Sequence, residues 1–246
     1  MLAILGGSGL TRLANLRLTE RRTIRTPYGE PSAALSFGSI GSCHLVFLAR
    51  HGDEHAVAPH EVNYRANLWA LRDAGVREVV SVAAVGGITK AAATGALLVP
   101  HQIVDYTWGR PSTYFEGAGA PVKHIDFTEP YSQSLRGRLL TAARACGETV
   151  HDGGVYAVTQ GPRLETAAEI DRLERDGADI VGMTAMPEAA LARELDLEYA
   201  ALAVVANPAA GRGDSRSRVS LDAIEAVLEQ AMVRVRRIIE KVCEQS

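Results

Sequence analysis

The sequence predicts a single α/β domain with a twisted, mixed central sheet flanked by helices. Apolar strand-like runs alternate with amphipathic helical segments along the chain. Two of these runs, Glu78–Val85 and Tyr199–Ala206, are almost continuously apolar, which is typical of strands covered on both faces. The 246 residues contain no internal repeat and no linker-like change in composition, so we expect the domain to span residues 1–246.

Hydrophobic periodicity and turn residues define the elements of the N-terminal part. A first strand runs into a glycine turn, a strand meander follows, and a helix then leads to a buried strand. In chain order these are Leu2–Leu5, the turn Gly6–Gly9, the strands Arg21–Thr26, Ala33–Ile40 and His44–Ala49, the helix Val62–Ala74 and the strand Glu78–Val85.

The C-terminal part alternates strands and helices around one long loop. Thr166 and Glu169 form a capping box at one helix start, Pro187 suits the first turn of another helix, and Ser220 is the N-cap of the last. The elements are the strand Leu97–Val104, a loop at 106–124 rich in Gly, Pro and aromatic residues, the helix Ser132–Cys146, the strand Gly154–Thr159, a helix from Thr166 to Asp176, the strand Asp179–Gly182, the helix Met186–Leu195, the strand Tyr199–Ala206, the polar loop Gly211–Arg218 and the helix Leu221–Glu244.

Composition excludes several classes of protein. The net charge is −3, and no long basic block exists that could follow a nucleic-acid backbone or an anionic membrane. Cys43, Cys146 and Cys243 are far apart and odd in number, which favours a reducing compartment over disulfides or a CxxC metal site. The N-terminus lacks the basic segment of a signal peptide, and glycines interrupt the apolar run at Val79–Ile88. We therefore expect a cytoplasmic protein with no nucleic-acid or membrane partner.

Glycine turns follow three predicted strands, at Gly6–Gly9, Gly86-Gly87 and Gly161-Pro162. Ligands of open α/β sheets bind beyond the carboxyl ends of strands, so these turns are candidate walls of a site. The first turn lacks the third glycine of a dinucleotide fingerprint and matches neither a nucleophile elbow nor a Walker A loop. Its N–H groups and the Ser8 hydroxyl are adequate to hold an anion, although the pattern alone favours a plain turn.

Arg50, His51 and Thr184 are candidate anion ligands. An arginine fork beside an imidazole at a strand end suits a tetrahedral oxyanion, and a surface arginine with a hydrogen-bonded histidine is an equal alternative. Thr184 precedes a helix, so its hydroxyl either donates to a bound anion or caps the helix, with Met183 then in the core. His51 and His55 lie four residues apart, but neither an HExxH motif nor a third clean ligand accompanies them, so we expect no metal.

Several longer stretches, in this order, make the pattern specific. They are Gly6–Leu10, Leu48–Gly52, Val62–Leu71, Gly161–Glu169, Gly177–Asp179 and Gly182–Glu188. With them the chain resembles, over nearly its whole length, the trimeric purine nucleoside phosphorylase family, and most closely its methylthioadenosine phosphorylase branch. The resemblance implies the nucleoside phosphorylase fold, a homotrimer, and cleavage of a purine nucleoside by inorganic phosphate into a free base and a ribose 1-phosphate. It implies no metal and no organic cofactor.

By this resemblance Ser8, Arg50, His51 and Thr184 would bind phosphate, and Met183 would lie under the ribose. The related branch has a phosphate-binding threonine where this chain has Ala83. Only backbone N–H groups could replace that contact here, and the site is still expected to bind phosphate.

The base pocket departs from the adenine-selective branch, which carries Asp-x-Asp where this chain has Asn207, Pro208 and Ala209. An asparagine amide can donate to a 6-oxo oxygen and accept from N7–H, whereas a carboxylate cannot do both. Ala209 also removes the partner that a 6-amino group would need. Glu165, next to Leu164, matches the 6-oxopurine branch and can accept a hydrogen bond from N1–H. A pocket built to pair with these groups rejects analogues that lack them.

The 5′ side of the sugar pocket resembles the family's methylthio site. Val219, Leu221 and Ile224 would form its apolar wall, and His55 from a neighbouring subunit would close it, although ordinary helix packing explains each apolar residue alone. Together with the base pocket they imply phosphorolysis of S-methyl-5′-thioinosine to hypoxanthine and 5-methylthioribose 1-phosphate, a purine salvage reaction of the methylthioinosine phosphorylase subgroup.

The expected mechanism is displacement at C1′ with oxocarbenium character and no covalent enzyme intermediate. His51 acts with the other phosphate ligands to orient phosphate, while Asn207 and Glu165 meet the negative charge on the departing purine, so these three are the predicted catalytic residues. Three alternatives stay open: phosphorolysis of methylthioadenosine or of inosine and guanosine, a non-catalytic nucleoside- or phosphate-binding protein, and an NAD-dependent enzyme.

Overall fold

The computed structural model describes residues 1–245, and within them one mixed sheet of eleven strands forms the centre of the molecule. The α/β prediction is confirmed. The strands are β1 (Leu2–Gly6), β2 (Arg17–Arg22), β3 (Leu35–Ile40), β4 (Cys43–Ala49), β5 (Glu78–Gly87), β6 (Leu97–Val99), β7 (Gln102–Asp105), β8 (Val150–Asp152), β9 (Val155–Val158), β10 (Ile180–Gly182) and β11 (Glu198–Pro208). The α-helices are α1 (Tyr64–Asp73), α2 (Gln133–Ala145), α3 (Ala167–Arg175), α4 (Ala185–Glu194) and α5 (Leu221–Glu244).

The long strand β5 organises the sheet, whose main path is β2-β3-β4-β1-β5-β10-β9-β7, with β11 paired to β5 and β6, and β8 to β6. Along one edge, β1 pairs with β5 in parallel only as far as Ser81, and β10 joins in the antiparallel direction at Gly86 and Gly87. Within the described chain, residues 82–85 of β5 therefore have no strand partner on this edge. The gap between β1 and β10 is where a ligand can reach the main chain of the sheet.

Helices cover both faces of the sheet, as the apolar strands require. Helices α1 and α4 pack against each other on one face, with Leu68 and Leu191 among their buried residues. Helices α2 and α5 pack together on the other face, with Leu139 and Val235 in that core. None of the helices in residues 1–245 is long and apolar enough to cross a membrane.

The helix starts follow the capping chemistry that the sequence predicts. Thr166 Oγ1 accepts from the Glu169 N–H, and the Glu169 carboxylate accepts from the Thr166 N–H, so the predicted capping box is confirmed. Ser132 and Ser220 likewise cap α2 and α5 through their hydroxyl groups.

Several predicted boundaries are wrong for identifiable reasons. The strand expected at Arg21–Thr26 is β2 at Arg17–Arg22, and because every residue of β2 is exposed, no apolar alternation marks it. The strand expected at Leu97–Val104 is divided into β6 and β7 around Pro100, which has no N–H for a ladder bond. Strand β8 carries too few buried residues to be predicted. Strand β11 continues through Pro208 instead of ending at Ala206.

Candidate active site

A cavity of about 440 Å³ opens at the gap beside β5. Its walls come from the turn after β1, the end of β4, residues 83–86 of β5, the segment after β9, the β10–α4 turn, the end of β11 and the start of α5. It brings together most of the predicted site residues, namely Ser8, Arg50, His51, His55, Leu164, Glu165, Met183, Thr184, Asn207, Ala209, Val219 and Ile224.

Two predicted residues do not line this cavity. Pro208 continues β11 and lies against Gly213 of the following loop. Leu221, the first residue of α5, has 69% of its surface exposed to solvent. The structure also brings His55 into the cavity from the same chain, so the expectation that a neighbouring subunit supplies it is wrong.

Arg50 lies at one end of the cavity and is completely buried. Its Nε donates to Glu188 Oε2 at 2.6 Å, and its Nη2 donates to Glu188 Oε1 at 2.9 Å and to Ser81 Oγ at 2.6 Å. Its Nη1 donates to the Val82 carbonyl at 3.1 Å, at the start of residues 82–85 of β5. Within residues 1–245, four of its five N–H groups have partners, and one on Nη1 remains for a ligand. Burial lowers the pKa of Arg50, but the Glu188 carboxylate raises it overall, so the guanidinium stays charged.

Glu188 is the hub of this buried network. Its Oε1 accepts hydrogen bonds from Ser81 Oγ at 2.9 Å and from the Tyr199 hydroxyl at 2.7 Å, in addition to Arg50. The sequence analysis did not identify the three residues that support Arg50. Glu188 and Ser81 bond to it directly, and Tyr199 bonds to Glu188. The available signals were a serine within the apolar run of β5 and a glutamate in a helix start whose neighbours are apolar.

The turn after β1 approaches Arg50 closely because Gly7 has no side chain. A Cβ at Gly7 would lie 2.5 Å from the Val82 carbonyl oxygen and 2.9 Å from Arg50 Nη1. Any other residue would therefore push the turn, and with it Ser8, away from the arginine.

His51 is held as a neutral imidazole of defined tautomer. Its Nδ1 donates to the Val57 carbonyl at 2.8 Å, which leaves Nε2 as an acceptor. Burial and the neighbouring Arg50 charge lower the pKa of His51 to about 4. The His55 ring packs edge-on at 4.8 Å, and its Nε2 lies 3.3 Å from Ser8 Oγ. At neutral pH, His51 can therefore accept a hydrogen bond from a protonated oxyanion.

Thr184 lies at the N-terminus of α4, and its side chain makes no capping hydrogen bond. The alternative that this hydroxyl is used only as a helix cap is therefore wrong. Ala83 lines the same end of the cavity, within the stretch of β5 that lacks a strand partner on this edge in the described chain. Main-chain groups of β5 therefore lie at Ala83, where the related branch has a phosphate-binding threonine.

The opposite end of the cavity offers an amide and a carboxylate. Asn207 follows a register shift in β11 after Val205, an irregularity that redirects side chains at a strand end. Its Nδ2 donates to the Pro208 carbonyl at 2.6 Å, which fixes the amide so that Oδ1 and the second N–H remain for a ligand. Glu165 Oε1 accepts from Thr159 Oγ1 at 2.6 Å. This end can pair with a flat polar ring that carries both donors and acceptors.

No group of three or more His, Cys, Asp or Glu side chains in residues 1–245 is arranged to hold a metal ion. The side chains gathered in the cavity instead suit an oxyanion at one end and a heterocyclic base at the other.

Comparison with known proteins gives concordant results. A family model described as "Phosphorylase superfamily" matches residues 1–244. A Pseudomonas syringae pv. tomato protein named "Probable S-methyl-5'-thioinosine phosphorylase" is 53% identical over 244 residues, covering 99% of this chain and 98% of the relative. A Pyrococcus furiosus "6-oxopurine nucleoside phosphorylase" is 45% identical over 215 residues, covering 85% of this chain and 80% of the relative. The structure of Schistosoma mansoni methylthioadenosine phosphorylase in complex with adenine has a TM-score of 0.95 and 32% identity, covering 99% of this chain and 91% of the other.

Proposed function

We propose that this chain, which belongs to the phosphorylase superfamily and is a nucleoside phosphorylase, cleaves S-methyl-5′-thioinosine with inorganic phosphate to hypoxanthine and 5-methylthioribose 1-phosphate. The observation that carries the choice of base is the Asn207 amide, which the Pro208 carbonyl orients so that an acceptor and a donor remain for a ligand. The name of the Pseudomonas syringae relative supports the choice of sugar.

Phosphate binds at the buried end of the cavity. Arg50 supplies the charge and one N–H, Ser8 and Thr184 supply hydroxyl groups, and the neutral His51 accepts from a protonated phosphate oxygen. The main chain of β5 near Ala83 supplies the donors that a threonine would otherwise add. This anchoring holds a phosphate oxygen against C1′ of the sugar, over Met183.

The purine binds at the other end. Asn207 Oδ1 accepts from N7–H and its free Nδ2–H donates to O6, while Glu165 accepts from N1–H. Leu164 and Ala209 form apolar walls of this pocket. As the phosphate oxygen bonds to C1′, the C1′–N9 bond breaks and its electrons move onto the purine. The Nδ2–H of Asn207 stabilises the negative charge that develops at O6, and a proton from solvent then adds to N7 and forms the N7–H that Oδ1 accepts.

The sugar end decides between two substrates. Val219 and Ile224 give the cavity an apolar wall suited to a methylthio group. His55 is a specific observation in favour of a second candidate, inosine or guanosine, because its imidazole could bond to a 5′-hydroxyl. The Pyrococcus furiosus relative is named for that wider class of nucleoside.

A panel of nucleosides tests the proposal. The purified protein is incubated with methylthioinosine, methylthioadenosine and inosine, each with and without phosphate, and the release of free base is followed by chromatography. We expect phosphate-dependent release with kcat/KM highest for methylthioinosine. Equal use of inosine would favour the second candidate, a preference for methylthioadenosine would refute the base assignment, and release of no base would refute the activity.

We further propose a cytoplasmic homotrimer that acts in purine salvage and needs no metal or organic cofactor. The family resemblance supports the trimer, as does the exposure of Trp108, Val122 and Leu221. Light scattering of the purified protein should give a mass three times the 26.3 kDa of the chain. Activity should survive dialysis against a chelator, and its loss there would contradict the expectation of a metal-free reaction.

A further inference from the structure

Arg110 lies in the long loop between β7 and α2, and is buried without lining the cavity. We propose that Arg110 is a positioning residue that holds the base-binding wall and the sugar- and phosphate-binding wall of the active site at a fixed separation. The inference rests on the proposed function, because it concerns the geometry of that reaction.

The guanidinium of Arg110 donates to two separate segments. On one side, Nη2 donates to the carbonyls of Thr159 at 3.3 Å and Gln160 at 2.7 Å, and Nε donates to Gln160 Oε1 at 3.2 Å. On the other side, Nη1 donates to the carbonyls of Met183 at 2.8 Å and Met186 at 2.7 Å. All five N–H groups of the side chain are used in this way.

These two segments lie side by side at the ends of the paired strands β9 and β10, where the Thr159 N–H also donates to the Gly182 carbonyl at 2.8 Å, and they lead to different parts of the proposed site. Thr159 and Gln160 lead directly into the turn that carries Glu165, and Thr159 Oγ1 also bonds to the Glu165 carboxylate. Met183 and Met186 flank Thr184, at the phosphate and ribose end. One rigid planar group thus links the base wall to the phosphate wall.

The partners of Arg110 are all neutral. Within residues 1–245 no carboxylate forms an ion pair with it, whereas the buried Arg50 and Arg136 each pair with one. The face of the Tyr64 ring lies 5.5 Å from the guanidinium, and its hydroxyl accepts at 3.3 Å. An arginine fork can bridge several carbonyls at fixed angles, while the three donors of a lysine ammonium cannot reproduce that geometry.

The reaction makes this separation important. Phosphate and purine must lie on opposite sides of C1′, each held by its own wall. Misplacing reacting groups by about 1 Å can lower the rate about 10²-fold, even from a change remote from the chemistry.

The test compares Arg110→Lys and Arg110→Met with the wild-type enzyme. We expect kcat for nucleoside cleavage to fall about 10²-fold. The affinity for phosphate alone, and for hypoxanthine alone, should stay close to wild type, because each of these ligands uses one wall. Amide hydrogen exchange should become faster in both the 159–165 and the 183–186 segments.

Arg136→Met is the matched control. Arg136 is also buried and donates to the carbonyls of Pro100 at 2.9 Å and Val99 at 3.2 Å, but neither of these partners lines the cavity. We expect this variant to lose stability while it keeps its kcat per folded molecule and the exchange rates of both walls.

A kcat per folded molecule equal to that of the wild type in both Arg110 variants would overturn the positioning role. A loss of rate that is fully explained by weaker binding of one ligand would also overturn it. If neither variant folds, Gln160→Met decides, since it removes the side-chain oxygen that accepts from Arg110 Nε and from the Trp108 N–H and leaves the carbonyl contacts of Arg110 in place. It should lower kcat severalfold, and an unchanged kcat would overturn the proposal. A wild-type protein that cleaves no nucleoside would refute the proposed function instead. Hydrogen exchange in the two walls of the Arg110 variants would then test by itself whether Arg110 holds these walls.

Discussion

The two ends of the cavity are built in different ways. At the phosphate end, Arg50 is fully buried and already bonded to Glu188, Ser81 and Val82. At the base end, Asn207 and Glu165 are half-buried, and each side chain has a single hydrogen-bonding partner among residues 1–245. The phosphate end is therefore an internal network with one free donor, and the base end keeps most of its bonding capacity for a ligand.

Because of this difference, substitutions at the two ends should have different effects. A charge removed from the buried network leaves its partner desolvated and unpaired, which affects folding and phosphate binding together. A change at the base end alters which ring edges can be paired and leaves the fold intact. Specificity can change at Asn207 without disturbing the phosphate site.

The largest effect should follow Glu188→Gln. It leaves the Arg50 charge buried without its ion-pair partner, so we expect the free energy of unfolding to fall by about 3–5 kcal/mol. Urea denaturation measures this, and the KM for phosphate should rise in whatever protein remains folded. Asp53→Asn is the control, since it removes a half-exposed partner of Arg21 and should change stability little. Equal stability of the two variants would show that the buried pair does not support the fold.

The next effect concerns the base end. Asn207→Asp replaces the N–H that faces O6 with a carboxylate oxygen, so kcat/KM for methylthioinosine should fall about 10²-fold. Methylthioadenosine should gain in relative rate, because its 6-amino group can donate to the carboxylate. Steady-state assays with both nucleosides give the ratio, and the KM for phosphate serves as the internal control. An unchanged ratio would remove the main argument for a 6-oxopurine.

The neutral His51 makes the phosphate end sensitive to acid. Its pKa is about 4 in the folded protein, lowered by burial and by Arg50 from an ordinary 6.5. Between these values the unfolded chain binds a proton that the folded chain does not, so stability falls as the pH decreases through this window. The loss at pH 5 relative to pH 7 should be about 2 kcal/mol.

Urea denaturation at both pH values, for wild type and His51→Asn, measures this contribution. The variant should lose less stability on acidification than the wild type. The same loss in both proteins would mean that His51 is not the group responsible.

The sequence predicts side chains at both ends of the cavity, but not the contacts that support the phosphate end. Asn207 lies beside Pro208 near the end of the apolar strand β11, and Glu165 follows the Gly161-Pro162 turn after β9. The family resemblance, rather than the local pattern alone, identified both residues. The support of Arg50 comes from Ser81, Glu188 and Tyr199, which are brought together from three elements by tertiary packing. No spacing along the chain indicates that contact.

Errors in the predicted elements also occur where tertiary contacts, rather than the local sequence, determine the structure. Strand β5 and the last helix have strong apolar patterns. The predicted bounds of the helix agree with the structure, and β5 starts where predicted but ends at Gly87 rather than Val85. Strand β2 is exposed on both sides, so its register depends on pairing with β3 rather than on its own sequence. His55 was assigned to a neighbouring subunit by resemblance to the family's trimer, and the loop after β4 that carries it has no periodicity that predicts its path.

The smallest effect separates the two residues expected at the 5′ side. Ile224 lines the cavity, whereas Leu221 is 69% exposed and lies outside it. Ile224→Ala should lower the preference for methylthioinosine over inosine about 10-fold, the range for a few methylene contacts in an apolar pocket. Leu221→Ala should leave the preference unchanged if the pocket is formed by one chain. A comparable loss in Leu221→Ala would show that Leu221 reaches the methylthio group of another subunit, and light scattering on the same samples would establish whether that subunit is present.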